Sequence, residues 1–85
     1  MFHKIKNISP LPDFLLSVQF SEGITKIYDI KSLFEKNPNF LFLKENPGKF
    51  ISVSVDTGGY GIIWNDTLDL SCDELWENGI AKDFI

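Results

Sequence analysis

The 85-residue chain contains no arginine, and its formal net charge is −4 at pH 7. A surface that binds nucleic acid needs lysine and arginine side chains to neutralise phosphates, so we expect no direct nucleic-acid binding. The chain also lacks an apolar run of the roughly 20 residues that a membrane span requires, and no apolar stretch typical of a secretory signal follows its first residues. We therefore expect a soluble, cytoplasmic protein that does not bind membranes.

Cysteine and histidine each occur once, which limits the chemistry that the chain can perform. Cys72 has no partner for an internal disulfide, as is usual in a reducing compartment. Free cysteine mostly packs as a small hydrophobe, so we expect a half-buried residue rather than a reactive thiol. His3 has no cysteine or acidic residue close to it in sequence, and we expect a solvated or strand-edge side chain rather than a catalytic base. The sequence therefore predicts no enzyme and no cofactor.

Aromatic residues, in contrast, are abundant: the chain has eight Phe, two Trp and two Tyr. A domain of this size buries only about 60% of the surface that its unfolded chain exposes, so its core needs large side chains. The proportions of 44% apolar and 24% charged residues are typical of a globular protein. We expect a single domain over residues 1–85.

Alternation of apolar and polar residues predicts strands in the first third of the chain. Residues 14–20 place every second residue, all of them apolar, on one face, Gly23 allows a tight turn, and residues 24–30 form the returning strand. Residues 2–9 alternate loosely and predict an edge strand at best. The Ser-Pro-Leu-Pro-Asp segment of residues 9–13 should then break regular structure, because proline cannot donate to a sheet ladder.

Two capping boxes predict two short helices. Ser32-Leu33-Phe34-Glu35 predicts a central helix, for which Asp29 is an alternative N-cap. Ser71-Cys72-Asp73-Glu74 predicts the start of a C-terminal helix that ends at Asn78-Gly79. The apolar cluster of residues 40–43 lies between two turn signals and is too short to indicate a helix by itself. We expect an irregular or short extended piece there.

The stretch of residues 50–76 organises the second half of the chain. Its alternating residues 50–55 predict a strand, Asp56-Thr57-Gly58-Gly59 predicts a tight turn, and residues 60–64 predict the next strand. Together, these patterns predict an α+β fold: a small, mostly antiparallel sheet of hairpins with one short central helix and one short C-terminal helix.

The order of these features resembles a bacterial family known as domain of unknown function 2442, over nearly the whole chain. The most specific part is the progression from Phe-x-x-Val-x-Val-Asp, residues 50–56, through Trp64-Asn65 to Asp69-Leu70. Asp66-Thr67 stand where members often carry a glycine. The resemblance implies a small α+β domain with no assigned activity or catalytic residue. Some members carry a further helix-turn-helix segment, for which this chain is too short.

Many members of this family are encoded beside a second small protein, which suggests a two-gene, toxin–antitoxin-like pair. The resemblance thus favours a non-enzymatic protein-interaction module that binds another small protein or a second copy of itself. Aromatic residues beside carboxylates are what a basic protein partner would engage, and both kinds concentrate in the last third. Most of the aromatic members also fit a core role. The candidate partner-binding residues are Tyr60, Trp64, Asp66, Asp69, Trp76 and Phe84.

An alternative function is small-ligand or anion binding by the turn from Gly58 to Gly61, because glycine-rich backbones present N–H groups to anions. No Lys-Ser or Lys-Thr pair follows and no helix begins there, so a hairpin turn is the simpler interpretation. The clustered carboxylates of residues 56–74 lack the spacing of an EF-hand loop. We expect them to form turns and helix caps rather than a metal site.

Overall fold

The structure, a computed structural model, describes residues 3–65 and 67–82. These residues form two antiparallel sheets and four short α-helices, which confirms the predicted α+β class. The strands are β1 (Ile5–Leu11), β2 (Leu15–Phe20), β3 (Thr25–Asp29), β4 (Ser54–Val55), β5 (Gly61–Asn65), β6 (Leu68–Ser71) and β7 (Ile80–Ala81). The helices are α1 (Lys31–Lys36), α2 (Pro38–Glu45), α3 (Pro47–Phe50) and α4 (Cys72–Asn78). None of the described helices has the length and apolar character needed to cross a membrane.

The two sheets divide the strands unequally. The first has the order β1-β2-β3-β7 and the second the order β4-β5-β6, so β1 and β7 are the edges of the larger sheet. β7 pairs with β3 at two positions, Lys26 with Ala81 and Ile27 with Ile80. The sheets are joined where the amide of Ile5, at the start of β1, donates a 2.8 Å hydrogen bond to the carbonyl of Gly59. In the larger sheet, β1, β2 and β3 therefore pair along most of their length, whereas β7 covers the outer edge of β3 at only two positions.

The core is formed by both sheets and by helices α2, α3 and α4. In β2 the alternation predicted from the sequence is confirmed, because Leu16, Val18 and Phe20 have no exposed surface. Burial of such large side chains is the main stabilising contribution in a domain of this size. The buried hydrophobic residues are Ile5, Leu16, Val18, Phe20, Tyr28, Ile30, Phe40, Leu43, Phe50, Ile62, Leu68, Leu70, Cys72 and Leu75.

The proline-containing segment does not interrupt β1, so that expectation was wrong. Pro10 lies within the strand, opposite Leu16 of β2, and β1 continues to Leu11. Because β1 is an edge strand, a residue without an N–H is tolerated on its unpaired side. The break comes only at Pro12–Phe14, a short 3₁₀ turn in which Asp13 has a φ of 66°.

Residues 40–43 are helical rather than extended, because they belong to α2. The side-chain oxygen of Asn37 accepts a hydrogen bond from the Asn39 amide at 3.1 Å and caps the helix. Pro38 follows in the first turn, where the N–H that it lacks would have had no partner within the helix. Asn37-Pro38, one of the two turn signals that flank residues 40–43, therefore ends α1 as well as starting α2.

The strand predicted over residues 50–55 was wrong in its first half. Phe50 is the last residue of α3, a helix that the sequence did not predict, and only β4 is extended. The start of α1 also differs, since the helix begins at Lys31 and not after a capping serine. Asp29, the alternative cap, accepts a 2.9 Å hydrogen bond from the Lys31 amide through its side chain.

The C-terminal helix begins and ends as predicted. The hydroxyl of Ser71 accepts a 3.1 Å hydrogen bond from the Glu74 amide, which is half of the expected capping box. Helix α4 ends at Asn78, and the Gly79 amide closes the last turn by donating to the Leu75 carbonyl at 3.0 Å.

Candidate binding groove

A groove with a volume of about 590 Å³ lies between α1, β3 and α4. This volume falls within the range of about 300–1,000 Å³ that is usual for ligand sites, which combine apolar walls with a few polar groups. The apolar lining residues are Leu15, Ile27, Leu33 and Ile80. The polar lining residues are Tyr28, Asp29, Ser32, Lys36, Glu74 and Asn78. The lining therefore has the mixed composition of a binding site.

The short pairing of β7 explains the position of the groove. β7 pairs with Lys26 and Ile27 of β3, so the next residues of β3, Tyr28 and Asp29, lie beyond its end and line the groove. Ile80 stands at the rim with 57% of its surface exposed. The groove thus lies along an incompletely paired sheet edge with an apolar side chain at its mouth.

Three side chains form a hydrogen-bond network within the groove. Tyr28 Oη donates to Glu74 Oε2 at 2.8 Å, and Asn78 Nδ2 donates to the same oxygen at 2.9 Å. The four-residue spacing places Glu74 and Asn78 on one face of α4. Burial, the hydrogen bond to Glu74 and the charge of that carboxylate raise the pKa of Tyr28. The phenol therefore stays protonated and acts as a donor.

The charges of the groove are unevenly compensated. Its carboxylate on β3, Asp29, pairs with Lys31 Nζ at 3.0 Å. The ion pairs within residues 3–65 and 67–82 do not include Glu74, the carboxylate on α4. Lys36 lines the groove from α1. The α4 wall therefore carries the Glu74 carboxylate, which forms no ion pair within the described residues, and the α1 wall carries the Lys36 amine.

The residues predicted for partner binding differ in exposure, and their role in binding stays a prediction. Tyr60 is 56% exposed, with Lys4 Nζ 5.4 Å from its ring centroid. Asp69 is exposed on β6, where it pairs with Ile63, which is itself 37% exposed. Asp66 and Phe84 lie outside the described residues.

The two tryptophans are half-buried and pack in different places. Trp64 Nε1 donates to the Phe50 carbonyl at 3.1 Å, and its ring meets Phe40 edge-on at 5.9 Å. Trp76 stacks on His3 at 3.5 Å, and Lys26 Nζ lies 4.1 Å from the centroid of the indole. Both rings therefore contribute to packing, and their part in partner binding stays a prediction.

His3 and Cys72 are held in structural contacts. His3 Nδ1 lies 2.6 Å from Glu22 Oε2, and only 13% of the imidazole side chain is exposed. Of the two expected environments, the solvated one is therefore wrong, and His3 lies just before the edge strand β1. Cys72 is buried and its Sγ donates to the His3 carbonyl at 3.0 Å. Burial, with the nearby charge of Asp73 second, raises the pKa of the Cys72 thiol. The thiol is therefore protonated and weakly nucleophilic.

The turn from Gly58 to Gly61 joins β4 to β5. The Gly59 amide donates to the Asp56 carbonyl at 3.1 Å, and the Tyr60 amide donates to Asp56 Oδ1 at 2.9 Å. The Asp56 carboxylate thus already accepts the Tyr60 N–H, which is one of the backbone donors that a bound anion would need. Within the described residues, no group of three or more His, Cys, Asp or Glu side chains is arranged to hold a metal ion.

Sequence reasoning missed most of this groove. The sequence places Glu74 in a capping box, Tyr28 within the strand of residues 24–30, and Asn78 at the end of a helix. The Tyr28–Glu74 contact joins residues 46 positions apart, and a local pattern carries no signal of that pairing.

The comparisons with known proteins identify a family and a fold. No curated protein sequence matches this chain. The crystal structure of a Nitrosomonas europaea protein, named "Putative DNA Binding Protein NE0471", is similar with a TM-score of 0.78 and 20% sequence identity. The similarity covers 92% of this chain and 49% of that protein, so this chain spans about half its length and shares its fold. The profile of the family described as protein of unknown function (DUF2442) matches residues 5–81, and the chain belongs to this family.

Proposed function

We propose that this protein is a non-enzymatic interaction module that binds another small protein or a second copy of itself. The observation that carries this proposal is the groove beside β3. It combines apolar walls, a fixed polar network and the exposed Ile80 at its rim. Interfaces are anchored by side chains that fill such pockets, while a polar rim surrounds them.

Peptide recognition at a sheet edge supports the same proposal. A partner segment can add to an exposed strand edge through main-chain hydrogen bonds and place its side chains in neighbouring pockets. Here β7 occupies two positions of the β3 edge, and the groove opens where its pairing ends. Helix α4 also lines the groove, so the groove is formed by residues of the β3 edge and of the C-terminal third of the chain.

The proposed partner is a protein and not DNA, although the structurally similar Nitrosomonas europaea protein carries the name "Putative DNA Binding Protein NE0471". This chain has no arginine, and lysine is absent from residues 50–81. That stretch instead carries the acidic residues Asp56, Asp66, Asp69, Asp73, Glu74 and Glu77. Such a charge distribution repels phosphates and favours a basic protein partner.

We place this interaction in the bacterial cytoplasm, as one half of a two-gene, toxin–antitoxin-like pair. The support is the adjacent small protein that many members of the family have, together with the single cysteine of this chain. The exposed Tyr60 and Asp69 would form a secondary contact on the second sheet.

Light scattering on the purified protein tests the proposal, first alone and then mixed with the product of the adjacent reading frame. We expect either a self-associated species or a complex whose mass exceeds that of both monomers. A pull-down from the source cell provides an independent readout. A protein that is strictly monomeric and recovers no partner in either assay contradicts the proposed function.

A further inference from the structure

We infer that the groove binds an extended segment of a partner protein that places a lysine or arginine side chain against Glu74. The inference rests on the proposed interaction function and specifies the chemistry of the partner. It follows from the charge of the groove, from its apolar walls and from its position at a sheet edge.

The carboxylate of Glu74 has an oxygen atom that can still contact a cation. The donors from Tyr28 and Asn78 both reach Oε2, and no described side chain donates to Oε1. The carboxylate is half-buried and takes part in none of the ion pairs of the described residues. A partly desolvated charge without a counter-ion is unfavourable, so a ligand that brings a cation gains from supplying it.

Lys26 of β3 and Lys31 of α1 are held by contacts with groups other than Glu74. Lys26 Nζ donates to the Trp76 carbonyl and lies over the indole ring of the same residue. Lys31 is engaged by Asp29 and by Asp13. Neutralisation of Glu74 by Lys26 or Lys31 would require breaking one of these contacts, and Lys36, which also lines the groove, forms no ion pair with Glu74 within the described residues.

Lys36 makes the two walls of the groove differ in charge. It lines the wall that α1 contributes, whereas Glu74 belongs to the wall of α4. A bound segment should therefore place its basic residue toward the α4 wall and a neutral or acidic residue toward the α1 wall. Like charges placed together across an interface are a common source of discrimination between partners.

The apolar walls and the sheet edge favour a peptide segment over a small free amine. Leu33 and Ile80 can cover the aliphatic stem of a lysine or arginine and a neighbouring apolar side chain. The exposed Ile80 offers an apolar contact to a side chain beside the basic residue of the segment. An extended chain is also the conformation that can continue along the edge of β3.

The test is an NMR titration of the ¹⁵N-labelled full chain with three synthetic peptides. Each has alternating apolar residues and differs at one central position, which is lysine, glutamate or norleucine. We expect the lysine peptide to shift the amides of Tyr28, Glu74 and Asn78 and to bind at least about fivefold more tightly than the other two. A fourth titration uses n-butylammonium, which carries the same cation without a peptide backbone.

Two matched variants test the role of the carboxylate. Glu74→Gln keeps an oxygen that can accept from Tyr28 and Asn78 but removes the charge, and Glu77→Gln removes the same charge from an exposed position of α4. We expect Glu74→Gln to weaken binding of the lysine peptide at least about fivefold and Glu77→Gln to change it less than about twofold. A circular dichroism spectrum of each variant checks that the fold is kept.

Several results would overturn the inference. Equal binding of the glutamate peptide, an unchanged affinity of Glu74→Gln, or no shift at the groove with any peptide would each do so. Binding of n-butylammonium without the lysine peptide would indicate a small-amine site instead. If Glu74→Gln captures the adjacent gene product as well as the wild type does, the inference fails while the proposed function stands. If neither protein captures a partner, the proposed function fails, and the n-butylammonium titration still measures the affinity of the carboxylate for cations.

Discussion

Tyr28 Oη donates a 2.8 Å hydrogen bond to Glu74 Oε2, which ties the third strand of the larger sheet to the last helix across 46 residues of sequence. This contact closes one wall of the groove and holds the carboxylate in place. Its strength and its pH dependence can both be measured.

Tyr28→Phe removes the hydroxyl and keeps the ring. A hydrogen bond to a charged group stabilises a protein by about 1.5–3 kcal/mol, and partial exposure of Glu74 reduces this, so we expect a loss of about 1 kcal/mol at neutral pH. Urea unfolding followed by circular dichroism measures it. A variant as stable as the wild type would show that the hydrogen bond adds nothing to the folded state.

The same pair predicts a pH dependence. The pKa of Tyr28 is raised in the folded protein from its ordinary value of 10.0. The unfolded chain therefore releases this proton above pH 10 while the folded chain retains it, and the associated stability is complete below that pH and lost above it. We expect the wild type to lose stability above pH 10 more steeply than Tyr28→Phe. Parallel slopes would contradict the raised pKa.

Trp64→Ala tests whether the indole belongs to the core. The ring packs against Phe40 and donates to the Phe50 carbonyl, so we expect a loss of about 3 kcal/mol in the free energy of unfolding. Tyr60→Ala, which truncates an aromatic ring that is 56% exposed, serves as the control and should cost less than about 1 kcal/mol. A near-neutral Trp64→Ala would place this ring on a binding surface instead.

The pattern of successes and failures in the sequence reasoning has a physical basis. Alternation along β2 and the Ser71 cap were informative, because burial of one strand face and satisfaction of the first helix amides are local requirements. Asn37-Pro38 was ambiguous, since asparagine followed by proline suits a turn as well as a helix start. The groove could not be predicted from the sequence, because it depends on how many residues of β3 pair with β7 and on contacts between residues far apart in the sequence.

Gly59→Ala tests the junction between the two sheets. Gly59 has a φ of 79°, and a Cβ at this position would lie 2.8 Å from the backbone oxygen of Ile5. Gly23→Ala is the matched control, because its φ is 91° and no atom lies within 4 Å of the added Cβ. We expect about 1 kcal/mol of destabilisation for Gly23→Ala and at least about 2 kcal/mol for Gly59→Ala. Equal losses would show that the contact with Ile5 relaxes freely.

Cys72 should react slowly with thiol reagents. Its side chain is buried, donates to the His3 carbonyl and has a raised pKa, all of which disfavour the thiolate. We expect negligible labelling by iodoacetamide in the native protein at pH about 8, and rapid labelling of the same sample in urea. Rapid labelling without denaturant would contradict the burial of this residue.

The most direct test of the proposed interaction function compares two exposed isoleucines for their effect on binding to the adjacent gene product. Ile80→Ser removes the apolar rim of the groove, and Ile51→Ser removes a side chain that is 66% exposed and does not line it. Titration calorimetry should show affinity about tenfold weaker for Ile80→Ser and nearly unchanged for Ile51→Ser. Equal affinities for the wild type and Ile80→Ser would contradict binding through this groove.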